Sequence, residues 1–115
     1  MASGMNTVVV PVRDVGAAKA LYEALLGQPP YVDQPYYVGY RLADTEVGLD
    51  PNGHAHGMTG PVSYWDVDDL EKTAASLVEA GGTVASPARD VGGGMLVAIV
   101  ADADGNPIGL RQQPA

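Results

Sequence analysis

The chain carries one design twice, and that repetition limits its possible folds more than any other feature. Thr7 to Val12 (TVVVPV) is a β-branched run that reads as a buried strand. Asp14 then caps a helix running to about Leu26, with Val15, Ala18, Leu21, Tyr22 and Leu25 as its apolar stripe, and Gly27 ends it. Fifty-five residues further on, Val62 to Val67 (VSYWDV) is a strand and Asp68 or Asp69 is a cap. Leu70, Ala74, Leu77 and Val78 form the second stripe, and Gly81-Gly82 the stop. At this offset Val12 falls on Val67, Asp14 on Asp69, Ala20 on Ala75 and Gly27 on Gly82.

Three short strand candidates follow each helix. In the first half they are Pro30–Asp33, Tyr36–Ala43 and Glu46–Asp50. In the second they are Thr83–Ser86, Met95–Ala101 and Pro107–Arg111. The expected fold is therefore α+β: two tandem βαβββ modules forming a cupped, mostly antiparallel sheet with the helices on its outer face. The length of 115 residues corresponds to a single domain. Module 1 covers about 5–50, a linker 51–60, and module 2 about 61–113. Residues 1–4 read as an expression or start-site scar ahead of Met5.

Composition excludes several functions. There is no cysteine, hence no disulfide, thiolate nucleophile or Cys-type zinc site. Fourteen acidic residues against six basic ones give a net charge of −8, and no Lys/Arg cluster exists to neutralise phosphates, so no nucleic acid is expected. The same charge favours a cationic ligand through the long-range field, or simply keeps the protein soluble. No apolar run approaches the roughly 18–20 residues of a membrane helix. The N-terminus lacks the basic and apolar regions of a signal peptide, so the expected location is cytoplasmic, with no membrane partner.

Strand alternation predicts which side chains avoid the helices. In module 1, Val8, Val10 and Val12 should face the helix, leaving Thr7, Val9 and Pro11 on the opposite face. Tyr36, Val38, Tyr40 and Leu42 go to the helix, and Tyr37, Gly39 and Arg41 to the concave side. A two-residue turn at Asp44-Thr45 would place Arg41 opposite Gly48, with Glu46, Gly48 and Asp50 in the cup. In module 2, Trp65 and Val67 pack under the helix. Val62, Tyr64 and Asp66 are left in the cup, joined by Ala98, Val100, Gly109 and Arg111. Two facing half-cups of this kind would enclose a mostly apolar small-molecule cavity.

The runs TVVVPVRDVGAAKALYEALLG, VSYWDVDDLEKTAASLVEAGG and DADGNPIGLRQ resemble the glyoxalase / bleomycin resistance protein / extradiol dioxygenase superfamily, the vicinal oxygen chelate fold, from about residue 5 to 113. The resemblance implies that enzymatic members hold a divalent metal through His, Glu or Gln on the first and last strands of the modules. Carried over, those positions are Thr7, Gly48, Val62 and Gly109. Glycine and valine bring no donor atom, whereas divalent ions need several N or O donors converging at about 2.0–2.2 Å. The expectation is therefore no metal and no cofactor. The resemblance also implies a homodimer.

Other motifs add little chemistry. His54 and His56 form an H-x-H pair near Asp50 that could hold a metal or simply be solvated. Asp102-Ala-Asp-Gly-Asn begins like a calcium loop but has Pro107 where the loop needs Gly and Gln113 where it needs Glu, so it reads as a hairpin turn. The serines have no base partner and no nucleophile elbow, and Gly92-Gly93-Gly94 lacks the Lys-Ser/Thr of a phosphate loop. Tyr37 and Tyr64 could stack on a flat ligand or pack ordinarily. Arg41 and Arg111 could grip a carboxylate, or pair with Glu46 or Asp50 at the rim.

The expected function is a metal-free binding protein, its partner a small organic ligand such as an antibiotic or another hydrophobic metabolite. The ligand-binding candidates are Thr7, Val9, Tyr37, Arg41, Gly48, Asp50, Val62, Tyr64, Ala98, Val100, Gly109 and Arg111. The alternative is a small enzyme of the same fold (isomerase, lyase or cyclase), using Tyr64, Arg41 or Asp50 as acid, clamp or base. A divalent-metal lyase of glyoxalase type is a third reading.

Overall fold

The computed structural model describes residues 2–114. Its elements run β1 (Ala2–Pro11), α1 (Val15–Leu26), β2 (Val32–Gln34), β3 (Tyr37–Leu42) and β4 (Thr45–Asp50), then a 3₁₀ turn at His54–His56. They continue with β5 (Val62–Val67), α2 (Leu70–Glu79), β6 (Thr83–Asp90), β7 (Leu96–Ala101) and β8 (Pro107–Gln112). The order is βαβββ twice, an α+β fold as the repeat predicts. The chain divides into two compact units, Thr7–Val62 and Met1–Asn6 with Ser63–Ala115. No helix among the described residues is long and apolar enough to cross a membrane.

In the unit Thr7–Val62 the strands lie in the order β2-β3-β4-β1, with β1 parallel to β4 and the other pairs antiparallel. Asp14 caps α1 by accepting a bond from the Ala17 amide at 3.0 Å. Gly27 ends the helix in the left-handed region (φ 70°), its amide returning to the Glu23 carbonyl at 2.8 Å. Val15, Ala18, Tyr22 and Leu26 pack on Val38, Tyr40 and Leu49, which are fully or almost fully buried. Leu21 and Leu25 are not in that stripe and are 70% and 75% exposed. At 3.6 residues per turn they lie roughly a quarter-turn away from it, so the buried stripe is narrower than the sequence pattern predicts. Tyr36, expected against the helix, sits in the turn before β3 and is exposed.

In the other unit the order is β5-β8-β7-β6, with β5 parallel to β8. Asp69, one of the two candidate caps, takes the Lys72 amide at 3.1 Å. The Gln112 side chain adds a bond from the Leu70 amide at 2.7 Å. Leu70, fully buried, joins Ala74 and Leu77 over Val67, Ala98, Val100 and Leu110. Trp65 shares a cross-strand pair with Leu110 but remains 39% exposed, so it is not the core residue expected. Gly82 must be small: a Cβ there would meet Val100 at 2.8 Å and the Leu77 carbonyl at 2.9 Å. Strand β6 is longer than predicted, and its register breaks between Val84 and Arg89 accommodate Pro87 on an outer strand.

Strand β1 also starts earlier than expected. Ahead of Thr7 the strand includes Ser3, read from the sequence as part of a scar, which donates to the Asp66 carbonyl, and Asn6, which donates to the Asp66 carboxylate.

Candidate functional site

In the unit Thr7–Val62 cross-strand pairing assigns the face opposite α1 directly. Thr7 pairs with Glu46 and Glu46 with Arg41; Val9 pairs with Gly48 and Gly48 with Gly39; Pro11 pairs with Asp50. Paired residues share a face, so Thr7, Val9, Arg41, Gly48 and Asp50 lie together as expected. The hairpin turn is Ala43-Asp44 rather than Asp44-Thr45, and Arg41 consequently faces Glu46 instead of Gly48. That slip is two residues, which leaves every side chain on its predicted face.

Glu46 is the centre of this face. Its two carboxylate oxygens accept separate bonds from the hydroxyls of Tyr31 and Tyr37, each at 2.5 Å. The Arg41 guanidinium lies 3.7 Å from the same carboxylate, 4.2 Å above the Tyr31 ring and 3.1 Å from the Tyr31 hydroxyl. The Glu46 side chain is only 15% exposed, whereas that of Arg41 is 61% exposed. Withdrawal from water raises the Tyr31 phenol above its ordinary pKa, and the bond to Glu46 reinforces the shift. Tyr31 thus remains a donor throughout the neutral range.

Two glycines let the rings lie close to the sheet. A Cβ on Gly39 would stand 3.0 Å from the Tyr37 ring and 3.1 Å from the Tyr31 ring. A Cβ on Gly48 would fall on the Tyr37 hydroxyl and ring. Asp50 turns to its own backbone, accepting the Asn52 amide at 2.8 Å and opening the linker. Thr7 and Val62 are buried, at 3% and 2% exposure.

In the other unit Tyr64 pairs with Gly109, and Asp66 with Arg111, on the face opposite α2. Tyr64 is buried over Gly109: a Cβ there would meet the ring at 2.7 Å and the Ser63 carbonyl at 2.8 Å. Arg111 does not pair with Glu46 or Asp50. Its Nε donates to Asp66 at 3.0 Å and its terminal nitrogen to Asn6 at 2.9 Å, while Asn6 donates to the other Asp66 oxygen at 2.7 Å. This closed ring of three side chains ties β1, β5 and β8 together.

Ala98 and Val100 are corrected. Ala98 pairs with Leu110, and both Ala98 and Val100 belong to the core beneath α2. They line a groove of about 380 Å³ on the helix side, with Leu70, Ala74, Val78 and Val84. The β7 residues that share the face of Gly109 and Arg111 are Ile99 and Val97. Strand β7 (LVAIVA) is apolar throughout, so alternation gave no parity to read. The residues that sequence reasoning left out of the candidate set are Tyr31, Glu46, Asn6 and Asp66.

A divalent ion does not fit the positions implied for it. They offer one threonine hydroxyl, two glycines and a valine, and a tyrosine already fills the space above each glycine. Among the described residues no group of three or more His, Asp or Glu converges as a metal cluster, His54 and His56 included. The Asp102 loop is a hairpin turn: its carboxylate takes the backbone and side-chain N–H groups of Asn106 and then the Asp104 amide, which holds it below the usual carboxylate range.

Comparison with known proteins gives a consistent picture. The family model of the Glyoxalase/Bleomycin resistance protein/Dioxygenase superfamily matches residues 4–110. CFP32, a protein of Mycobacterium tuberculosis and Mycobacterium bovis provisionally named a glyoxylase, is 31% identical over 118 aligned positions, which cover 93% of this chain. They cover 44% of CFP32, so the chain spans less than half the length of that relative. A superfamily member from Vibrio splendidus superposes with a TM-score of 0.71 at 17% identity, over 96% of this chain and all of the other. Methylmalonyl-CoA epimerase from Mycobacterium tuberculosis gives a TM-score of 0.66 at 19% identity, covering 99% of this chain and 89% of that one. At such identities the structural likenesses speak for the fold alone.

Proposed function

The chain belongs to the glyoxalase/bleomycin resistance protein/dioxygenase superfamily, and we propose that within it the protein binds a small organic molecule without a divalent metal. One observation carries this reading: Tyr37 and Tyr64 fill the space above Gly48 and Gly109, the last-strand positions where metal-dependent relatives would place a ligand. Within the unit Thr7–Val62, the rings of Tyr31 and Tyr37 beside Glu46 and Arg41 make an aromatic wall with a few polar groups that suits a flat organic guest, and ring stacking contributes about 0.5–1.5 kcal/mol per pair beyond area burial. Sequestration of an antibiotic or another hydrophobic metabolite is the role proposed for such a host.

A second reading has its own support. The phenols of Tyr31 and Tyr37, each oriented by one oxygen of Glu46, are positioned groups able to hand a proton to a bound substrate without a metal. In that case the protein is an isomerase, lyase or cyclase.

The experiment that separates the two begins with a thermal-shift screen of bleomycin-type, quinone and peptide antibiotics on metal-free protein. A ligand at 100-fold saturation adds about 2.7 kcal/mol of stability. Each hit is then incubated in D2O and recovered. Return of the ligand unchanged and unlabelled supports sequestration; deuterium incorporation or a new product supports the enzyme. Stabilisation that requires added zinc, nickel or manganese contradicts both.

A further inference from the structure

Arg41 is held unlike the other polar groups around Glu46. Its side chain is 61% exposed, and its 3.7 Å approach to the carboxylate exceeds the roughly 2.7–2.9 Å of a charge-assisted bond. The backbone carbonyl of Arg41 is fixed by the Gln28 side-chain amide at 2.5 Å, but among the described residues the guanidinium rests on Tyr31 and the edge of Glu46. Exposed pairs of this kind contribute little and are readily exchanged.

What Arg41 occupies is more definite than how it is held. A planar cation lies 4.2 Å above an aromatic ring, beside a carboxylate with little exposure to water. We infer that this is a subsite for a planar cationic group of the ligand (a guanidinium, an amidine or a protonated aminoheterocycle) and that Arg41 stands in it until displaced. The inference rests on the organic-ligand reading above and names the class of ligand.

Charge supports the cation over the anion. A ligand carboxylate that sought Arg41 would arrive beside Glu46, on a protein of net charge −8. A cation gains from both, and an ionised carboxylate has about four acceptor sites, so two phenol bonds leave room for it. The rings of Tyr31 and Tyr37, lying over Gly39 and Gly48, supply a flat wall alongside.

The test is a titration of the full chain with benzamidine, with benzoate as the anionic counterpart and 2-naphthol as the neutral aromatic one. Benzamidine is expected to bind, and Arg41→Gln to tighten it roughly fivefold, the scale of an exposed ion pair removed as competitor. Glu46→Gln, which removes the charge and keeps the side chain's size, is expected to abolish benzamidine binding. Raising NaCl in the wild type should weaken benzamidine and not 2-naphthol, a check that needs no variant. Weaker or absent benzamidine binding in Arg41→Gln, or benzoate binding that depends on Arg41, overturns the inference. If 2-naphthol binds but benzamidine does not, only the cationic subsite fails. If neither binds, the cationic subsite fails and the screen above decides the broader reading.

Discussion

Tyr64 lies across Gly109 so closely that a Cβ on the glycine would meet both the ring and the Ser63 carbonyl within 2.8 Å. Tyr37 stands in the same relation to Gly48, but there the obstructing atoms are the far end of a side chain. Gly109→Ala should therefore cost about 1–3 kcal/mol, as overpacked sites do, and Gly48→Ala less, because the Tyr37 hydroxyl can swing away. Urea unfolding of the two variants checks the order.

The two helices offer a contrast of a different kind. Leu70 is fully buried, whereas Leu25 is 75% exposed. Leu70→Ala should cost about 2–5 kcal/mol and Leu25→Ala less than about 0.5 kcal/mol. Equal losses would mean that α1 is covered in solution by something else.

Asn6, Asp66 and Arg111 form one network, with Asp66 and Arg111 side chains 21% and 15% exposed. Removing Asp66 leaves a largely buried guanidinium without its carboxylate, so Asp66→Ala and Arg111→Ala should be strongly non-additive. A double-mutant cycle is expected to return a coupling of roughly 0.5–3 kcal/mol.

Stability should fall in strong base. Burial, and then the bond to Glu23, push the Tyr40 phenol from 10.0 up to about 12. The folded state holds this proton more tightly than the unfolded one. Its contribution is therefore complete below pH 10 and is lost as the pH rises through about 12. Tyr31 shifts in the same direction. Tyr40→Phe should flatten this limb of a stability-against-pH curve without removing it.

The legible parts of the fold were those with local causes. Asp14 and Asp69 capped their helices and Gly27 ended one because caps act within a turn. Tyr37, Arg41 and Gly48 lie on their predicted face although the hairpin register differs by two from the predicted one, since only an odd slip inverts a strand. Ala98 and Val100 failed because an all-apolar strand has no alternation. Glu46 entered the strand pattern but not the site: its role depends on Tyr31, which the bond from its amide to the Gly39 carbonyl brings to this face. No spacing rule in the sequence encodes that meeting.

The most direct test of the central claim is anomalous diffraction at the zinc edge from crystals grown with zinc. The tyrosine-covered glycines predict no peak within about 2.0–2.2 Å of donors at or beside residues 7, 48, 62 and 109. A peak there, with protein oxygen or nitrogen atoms around it, would contradict the account of a metal-free organic host.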